Sequence, residues 1–288
     1  MRSGRGSRTV EISGAVAVIT GGASGIGRAT ALALARAGAD VVVGDIHQQR
    51  MDETVAAIGE IGQRALAVRC DVTSDADVDG LARVVLSEFG KVDVVMNNAG
   101  VALLGPPERV PMQDWQRLFD INVFGVVRGI RAFVPILLDQ GHGWMINTAS
   151  IAGLYAHGYD NIPYIGAKHA VVGITEGLYL HLRPKGIGVS VLCPELVATN
   201  IGESARMIGI DDPRWVNFPP HLLRPIQPDA AAERVVAAIR EERFLILTHP
   251  ENEDWVVNHG RDIEGFLASY LPMLYQGRDA SGLPVAEP

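Results

Sequence analysis

Six short runs, Ala15–Thr20, Asp40–Asp45, Arg64–Cys70, Val92–Asn97, Trp144–Ala149 and Ile187–Cys193, are rich in β-branched residues and nearly continuous in apolar side chains. A strand with one face in water alternates apolar and polar positions. A run without that alternation reads as a strand covered on both faces. Between the runs lie segments with apolar residues at helical spacing, among them Ile26–Ala37 and Ala76–Phe89. Strand and helix alternating at this length predict an α/β chain with a doubly wound parallel sheet, in which ligands sit at the carboxyl ends of strands. No linker, composition break or internal repeat divides this region, so one domain is expected.

After Thr199 the alternation lapses. Residues 200–226 carry Gly, Pro, Met207, Trp215 and Phe218 without a regular period. Such a stretch is usually a lid or disordered, and its aromatics and methionines favour a substrate lid inserted after the sixth strand. A helix (Pro228–Glu241), a strand (Phe244–Thr248) and an amphipathic helix (Glu253–Leu271) are expected to follow. The organisation expected is a disordered tail at 1–10, a domain at 11–272 and a loose C-terminal tail at 273–288.

Several function classes are disfavoured. The 288 residues are 48% hydrophobic and 20% charged, which suits a soluble globule with a large core. The formal charge of −8 offers no basic field to replace counterions on nucleic acid. No run of eighteen apolar residues exists, so no membrane partner is expected. Met1 to Arg8 lacks the apolar core of a secretory signal. Cys70 and Cys193 each end an apolar run and read as buried free thiols of a reducing, cytoplasmic compartment, in preference to a disulfide. None of the eight histidines falls in a metal-ligand spacing, so no metal is expected. Ser150 lacks the glycine two residues before it that a hydrolase nucleophile turn needs.

Thr20-Gly21-Gly22-Ala23-Ser24-Gly25-Ile26-Gly27 joins the first strand to its helix. Glycines there let the backbone approach a pyrophosphate, whose charge is met by N–H groups and the helix N-terminus. The spacing G-x-x-x-G-x-G departs from the common dinucleotide fingerprint, G-x-G-x-x-G. Asp45 ends the second strand, where a carboxylate accepts from a ribose 2′-OH and repels a 2′-phosphate. No basic residue stands just before Gly25 or just after Asp45, so NAD is predicted over NADP.

Residues 161–183 read as a helix with Pro163 in its first turn. Tyr164 and Lys168, one turn apart, then share a face. A nearby cation favours the phenolate and draws its pKa from about 10 toward neutrality, which would fit Tyr164 to exchange a proton with an alcohol or ketone oxygen. By itself such a pair is far more often what an amphipathic surface helix presents.

Taken together these residues make the chain resemble the single-domain branch of the short-chain dehydrogenases/reductases, from about Ser13 to Thr248. The resemblance rests on the glycine turn at 20–27, Asp71-Val72, Asn97-Asn98-Ala99-Gly100, Asp120-Ile121-Asn122, Ser150 and Tyr164-x-x-x-Lys168, all in the family's order. It implies a Rossmann fold and four catalytic residues. Tyr164 would be the general acid/base, and Lys168 would lower its pKa and hold the nicotinamide ribose. Ser150 would bind the substrate oxygen, and Asn122, at a helix kink, would hold a water linking Lys168 to solvent. It also implies NAD binding by Gly21, Ser24, Gly25, Ile26, Gly27, Asp45, Asp71, Val72, Asn98, Ala99 and Gly100, with Pro194, Val197 and Thr199 at the nicotinamide. A homo-oligomer, tetramer or dimer, would form through the helices at 111–138 and 162–184.

The reaction expected is interconversion of a secondary alcohol and its ketone, and the lid composition suggests a small-molecule substrate that is apolar and cyclic or aromatic. One rival is an NAD-binding sensor without turnover, which would have no need of all four catalytic residues. Another is a dehydratase or epimerase of the same fold, which the short C-terminal region disfavours. Glu195 departs from the glycine the family often places after the proline. It either contacts substrate or points to solvent. Tyr155, His157 and Tyr159 either pack their loop or line the substrate mouth.

Overall fold

The computed structural model describes residues 10–216 and 219–278. The tail expected at the N-terminus thus lies outside the described residues except for Val10, as do Phe218 and residues 279–288. Val10 is buried and joins the core with Ile12, so ordered packing begins inside the expected tail.

Seven parallel strands form the central sheet: β1 (Val16–Thr20), β2 (Asp40–Asp45), β3 (Ala65–Arg69), β4 (Val94–Asn97), β5 (Gly143–Thr148), β6 (Ile187–Cys193) and β7 (Leu245–Leu247). Their order is β3-β2-β1-β4-β5-β6-β7, so the direction of winding reverses between β1 and β4. A crevice opens outside the carboxyl ends of strands at such a point. Strands β1, β4, β5 and β6 are buried along their whole length, as continuous apolar runs require. Edge strand β3 is only partly buried, because it has a neighbour on one side alone.

One face of the sheet is covered by α1 (Gly25–Arg36), α2 (Gln48–Ile61) and α7 (Pro228–Arg240), through Leu34, Ile58 and Ile239. The other is covered by α3 (Asp75–Phe89), α5 (Gly125–Gln140) and α6 (Ile162–Leu182), through Leu81, Phe133 and Leu182. Polar ties fix this packing. Asn97 donates to Asn147 at 2.8 Å and Asn147 to Thr175 at 3.0 Å, linking β4, β5 and α6. A Cβ at Gly129 would sit 1.9 Å from Asn97 Oδ1, so α5 can approach β4 only with glycine there.

Helix α4 (Met112–Phe119) runs into α5 through a π-helical turn at Asp120–Phe124. The continuous helix, Met112–Gln140, has 29 residues, and its most apolar 18-residue window has a mean hydropathy of 1.7, enough in length and composition to cross a bilayer. It differs from the sequence expectation because its apolar residues are interrupted by charges, which a search for unbroken apolar runs rejects. Here it is a core helix, with Phe133 and Leu137 fully buried and Arg128 paired with Asp75 and Asp120.

The last helix is two. Expected as one at Glu253–Leu271, it breaks at Asp262, whose carboxylate accepts from Gly265 N at 2.9 Å and starts a new helix. The pieces are α8 (Glu253–Arg261) and α9 (Ile263–Leu274), the second extending past the expected end of the domain. Among the described residues, the stretch 200–226 contains a turn of α-helix (Ile201–Ser204) and two 3-10 turns, Pro213–Trp215 and Pro220–Leu222. Arg206–Met207 pairs in parallel with Leu103–Leu104, and Ile226 bridges to Val197.

Candidate active site

The glycine turn approaches its neighbours so closely that side chains are excluded. Gly21 and Gly25 adopt positive φ of 65° and 52°, and a Cβ on Gly27 would lie 2.2 Å from Gly21 O. Ser24 is the N-cap of α1, yet its hydroxyl makes no capping bond. The first amides of α1 therefore have no intrahelical or side-chain acceptor, the arrangement that suits an anion. Asn98 ties the turn to β4: Nδ2 donates to Thr20 O at 3.1 Å and to Gly21 O at 3.3 Å.

From this turn a crevice of about 690 Å³ runs along the strand ends. Gly21, Ser24, Gly25, Ile26 and Asp45 line it at the turn, with Asp71, Val72, Asn98, Ala99 and Gly100 after β3 and β4. Ser150, Tyr164, Lys168, Pro194, Val197 and Thr199 line it after β5 and β6 and from α6. Gly27 and Asn122 are not in the lining. Gly27 supports the turn from beneath, and Asn122 lies behind Gly100, its Oδ1 3.2 Å from where a Gly100 Cβ would stand. Size, glycine cradle and unpaired helix amides fit an extended dinucleotide.

Three side chains meet beyond β5. Ser150 Oγ donates to Pro194 O at 3.3 Å and accepts from Ala152 N at 3.2 Å. Lys168 is buried and donates to Thr148 O at 3.0 Å, with Nζ 5.5 Å from the centre of the Tyr164 ring. The π turn places Asn122 against the loop after β4, where its amide exchanges two hydrogen bonds with Val101.

The electrostatics differ from the expectation that Lys168 draws the phenol pKa down. Burial pushes Tyr164 up to about 12, against the opposing effect of a hydrogen bond with Ser150. Burial also lowers Lys168 to about 8. Each charged form loses hydration in the crevice, and the ammonium is directed at a carbonyl. Helical spacing reported that the two share a face; it carried no information on desolvation.

The open readings of the loop after Ser150 resolve individually. Tyr155 is fully buried against Phe266 and Tyr270, so it packs its loop. Tyr159 packs against Trp215 and Tyr275. His157 lines the crevice. Glu195 does not point to solvent: its side chain is 2% accessible, and it accepts from Asn252 at 2.7 Å. Both cysteines are free and buried. Arg117, Asn161, Leu222 and Arg206 also line the crevice and were missed. They come from α4, a helix start and the irregular stretch, and only the position of Asn161 three residues before Tyr164 could have signalled one of them.

A doubly wound sheet with this turn and this Ser/Tyr/Lys constellation defines a nicotinamide-cofactor oxidoreductase. The short chain dehydrogenase family model matches residues 15–207, and the chain belongs to that family. It is 33% identical over 254 residues to a CLA biosynthesis dehydrogenase/reductase of Lactiplantibacillus plantarum, covering 82% of this chain and 88% of that one. It is 37% identical over 186 residues to a cyclohexanol dehydrogenase of Acinetobacter sp., covering 64% and 73%. A short chain dehydrogenase/reductase from Burkholderia phymatum, solved in complex with NAD, superposes with a TM-score of 0.78 at 36% identity, covering 88% of this chain and 95% of that one.

Proposed function

We propose that this enzyme interconverts a secondary alcohol and its ketone with NAD, using Tyr164 as general acid/base. The observation that carries the reading is the meeting of Ser150, Tyr164 and Lys168 in the same crevice that begins at the glycine turn. When bound, the oxidised dinucleotide supplies a hydride acceptor and a positive ring charge. Ser150 binds the substrate oxygen and Tyr164 takes or gives its proton. Lys168, poised near neutrality by burial, relays that proton and holds the cofactor ribose. Asn122, next to Gly100 and Lys168, holds a water on the path to solvent.

Asp45 favours NAD, being buried at the crevice wall with no Lys or Arg directly after it. Leu103, Leu104, Ile151 and Leu222 give the remainder of the crevice an apolar lining, which suits an apolar cyclic or aromatic substrate under a lid formed by residues 200–226. Exposed Met112, Phe124 and Leu180 on α4, the π turn and α6 support a homo-oligomer built on those helices, and the buried free thiols suit the cytoplasm.

NADH formation with a panel of secondary alcohols tests the reading, alongside Tyr164→Phe. The variant should lose nearly all turnover while binding NAD within a few-fold of wild type. Retained turnover removes Tyr164 from the chemistry, and NAD binding without turnover across the panel favours a sensor.

A further inference from the structure

Among the described residues, six buried side-chain polar atoms have no hydrogen-bond partner. Four of them, His157 Nδ1, Asn161 Oδ1, Glu195 Oε1 and His221 Nδ1, belong to neighbouring residues joined through Asn252, Tyr155 and Tyr270. The remaining two, on Thr30 and Asn97, lie elsewhere in the fold. His157, Asn161 and Glu195 line the crevice with Ser150 and Tyr164. Leaving a buried polar group unpaired is destabilising, so three in one wall is an arrangement that a ligand can repay.

Their hydrogen-bonding sense can be read from the partners they do have. Asn161 Nδ2 faces His157 Nε2 at 3.4 Å, so the amide donates and the imidazole accepts. Burial holds His157 near pKa 4 and thus neutral, which leaves the ring proton on Nδ1. His157 therefore offers an unused donor and Asn161, linked to it, an unused acceptor. Asn161 is the N-cap of α6, a position where an Asn oxygen ordinarily caps backbone amides, but here it makes no such bond. Glu195 adds a second acceptor: Oε2 is taken by Asn252 and Oε1 is unused. One donor beside acceptors matches a neutral hydroxyl, which both gives and receives. An ammonium could not use the His157 N–H, and a carboxylate would meet Glu195.

We infer that His157, Asn161 and Glu195 form a polar subsite for a second hydroxyl group on the substrate, so that the preferred alcohol is a diol on an apolar frame. The inference rests on the alcohol/ketone reading of the same crevice and adds the chemistry of the far group. The unused atoms are shut from solvent, so engagement takes a side-chain rotation. Such a rotation is a small adjustment beside the cost of leaving these groups unpaired.

The test compares cyclohexanol with the vicinal, meta and para cyclohexanediols. Turnover is read with NAD, and binding to the NADH-loaded protein is read by calorimetry. At least one diol should exceed cyclohexanol by roughly tenfold or more in kcat/KM and in affinity. His157→Phe and Asn161→Ala should each bring that ratio toward one, with NADH binding as the check that the variants fold. Wild-type protein that binds or oxidises no diol better than cyclohexanol overturns the inference, whatever the variants do. Tighter diol binding without turnover upholds the subsite and instead refutes the alcohol/ketone reading.

Discussion

Asn122 and Val101 hold each other by two hydrogen bonds of 2.9 Å, the amide Nδ2 donating to the Val101 carbonyl and Oδ1 accepting from its N–H. The bonds join the π turn of one helix to the loop after β4, and that loop carries Asn98, Ala99 and Gly100 into the crevice. Asn122→Ala strands both backbone groups of Val101, each costing about 1–3 kcal/mol where water cannot replace the partner. Thermal denaturation should show Tm lower by about 4–8 °C, and turnover should fall by roughly tenfold or more as the crevice wall loosens. A variant with unchanged Tm would mean that the loop is held by other contacts.

Asp45 is already committed in part. Its Oδ1 accepts from Ile46 N at 2.7 Å and His47 N at 3.1 Å, and Oδ2 accepts from Ala23 N at 3.1 Å. It therefore braces the glycine turn while presenting negative charge to the crevice. Arg50, ion-paired with Glu203 at 2.9 Å, feels that charge and adjoins the same region. Asp45→Ala removes the repulsion toward a 2′-phosphate and leaves Arg50 available to it. The ratio of kcat/KM for NADP over NAD should rise by roughly tenfold or more. An unchanged ratio, measured with both cofactors, would show that the carboxylate serves the turn alone.

The topology and most of this site were readable because each depends on a short-range pattern. Unbroken apolar runs reported strands covered on both faces, and the bounds of β2 and β6 coincide with the expected ones. Glycines at 21 and 27 reported a backbone approach that leaves no room for a side chain, and the glycine at 25 a positive φ. What pattern could not supply was three-dimensional environment. Nothing in Pro194-Glu195 says that the carboxylate meets His249 and Asn252 while the Glu195 backbone N–H donates to Thr248, because those partners come from the segment after β7, more than fifty residues away. The break at Asp262 was hidden for a different reason: apolar spacing continues across it, and only the capping bond to Gly265 restarts the helix.

Lys168 and Tyr164 predict opposite pH responses of the cofactor-free protein. Burial lowers Lys168 from 10.5 to about 8 in the folded state, so between those values the unfolded chain binds more protons and stability rises with pH. Tyr164, raised from 10.0 to about 12, makes the folded state the greater proton binder in that interval, so its contribution falls as pH rises from 10.0 to about 12. Below about pH 8 the wild type therefore bears the full cost of a buried ammonium, and Lys168→Met does not. Between about pH 7 and about pH 9.5 the wild type should gain on the variant by a few °C in Tm, with the Tyr164 contribution common to both. Scanning calorimetry of both proteins, without cofactor, measures the gap. If the gap is the same at both pH values, the Lys168 ammonium is not held below its ordinary pKa, and its part as a proton relay near neutrality falls with it.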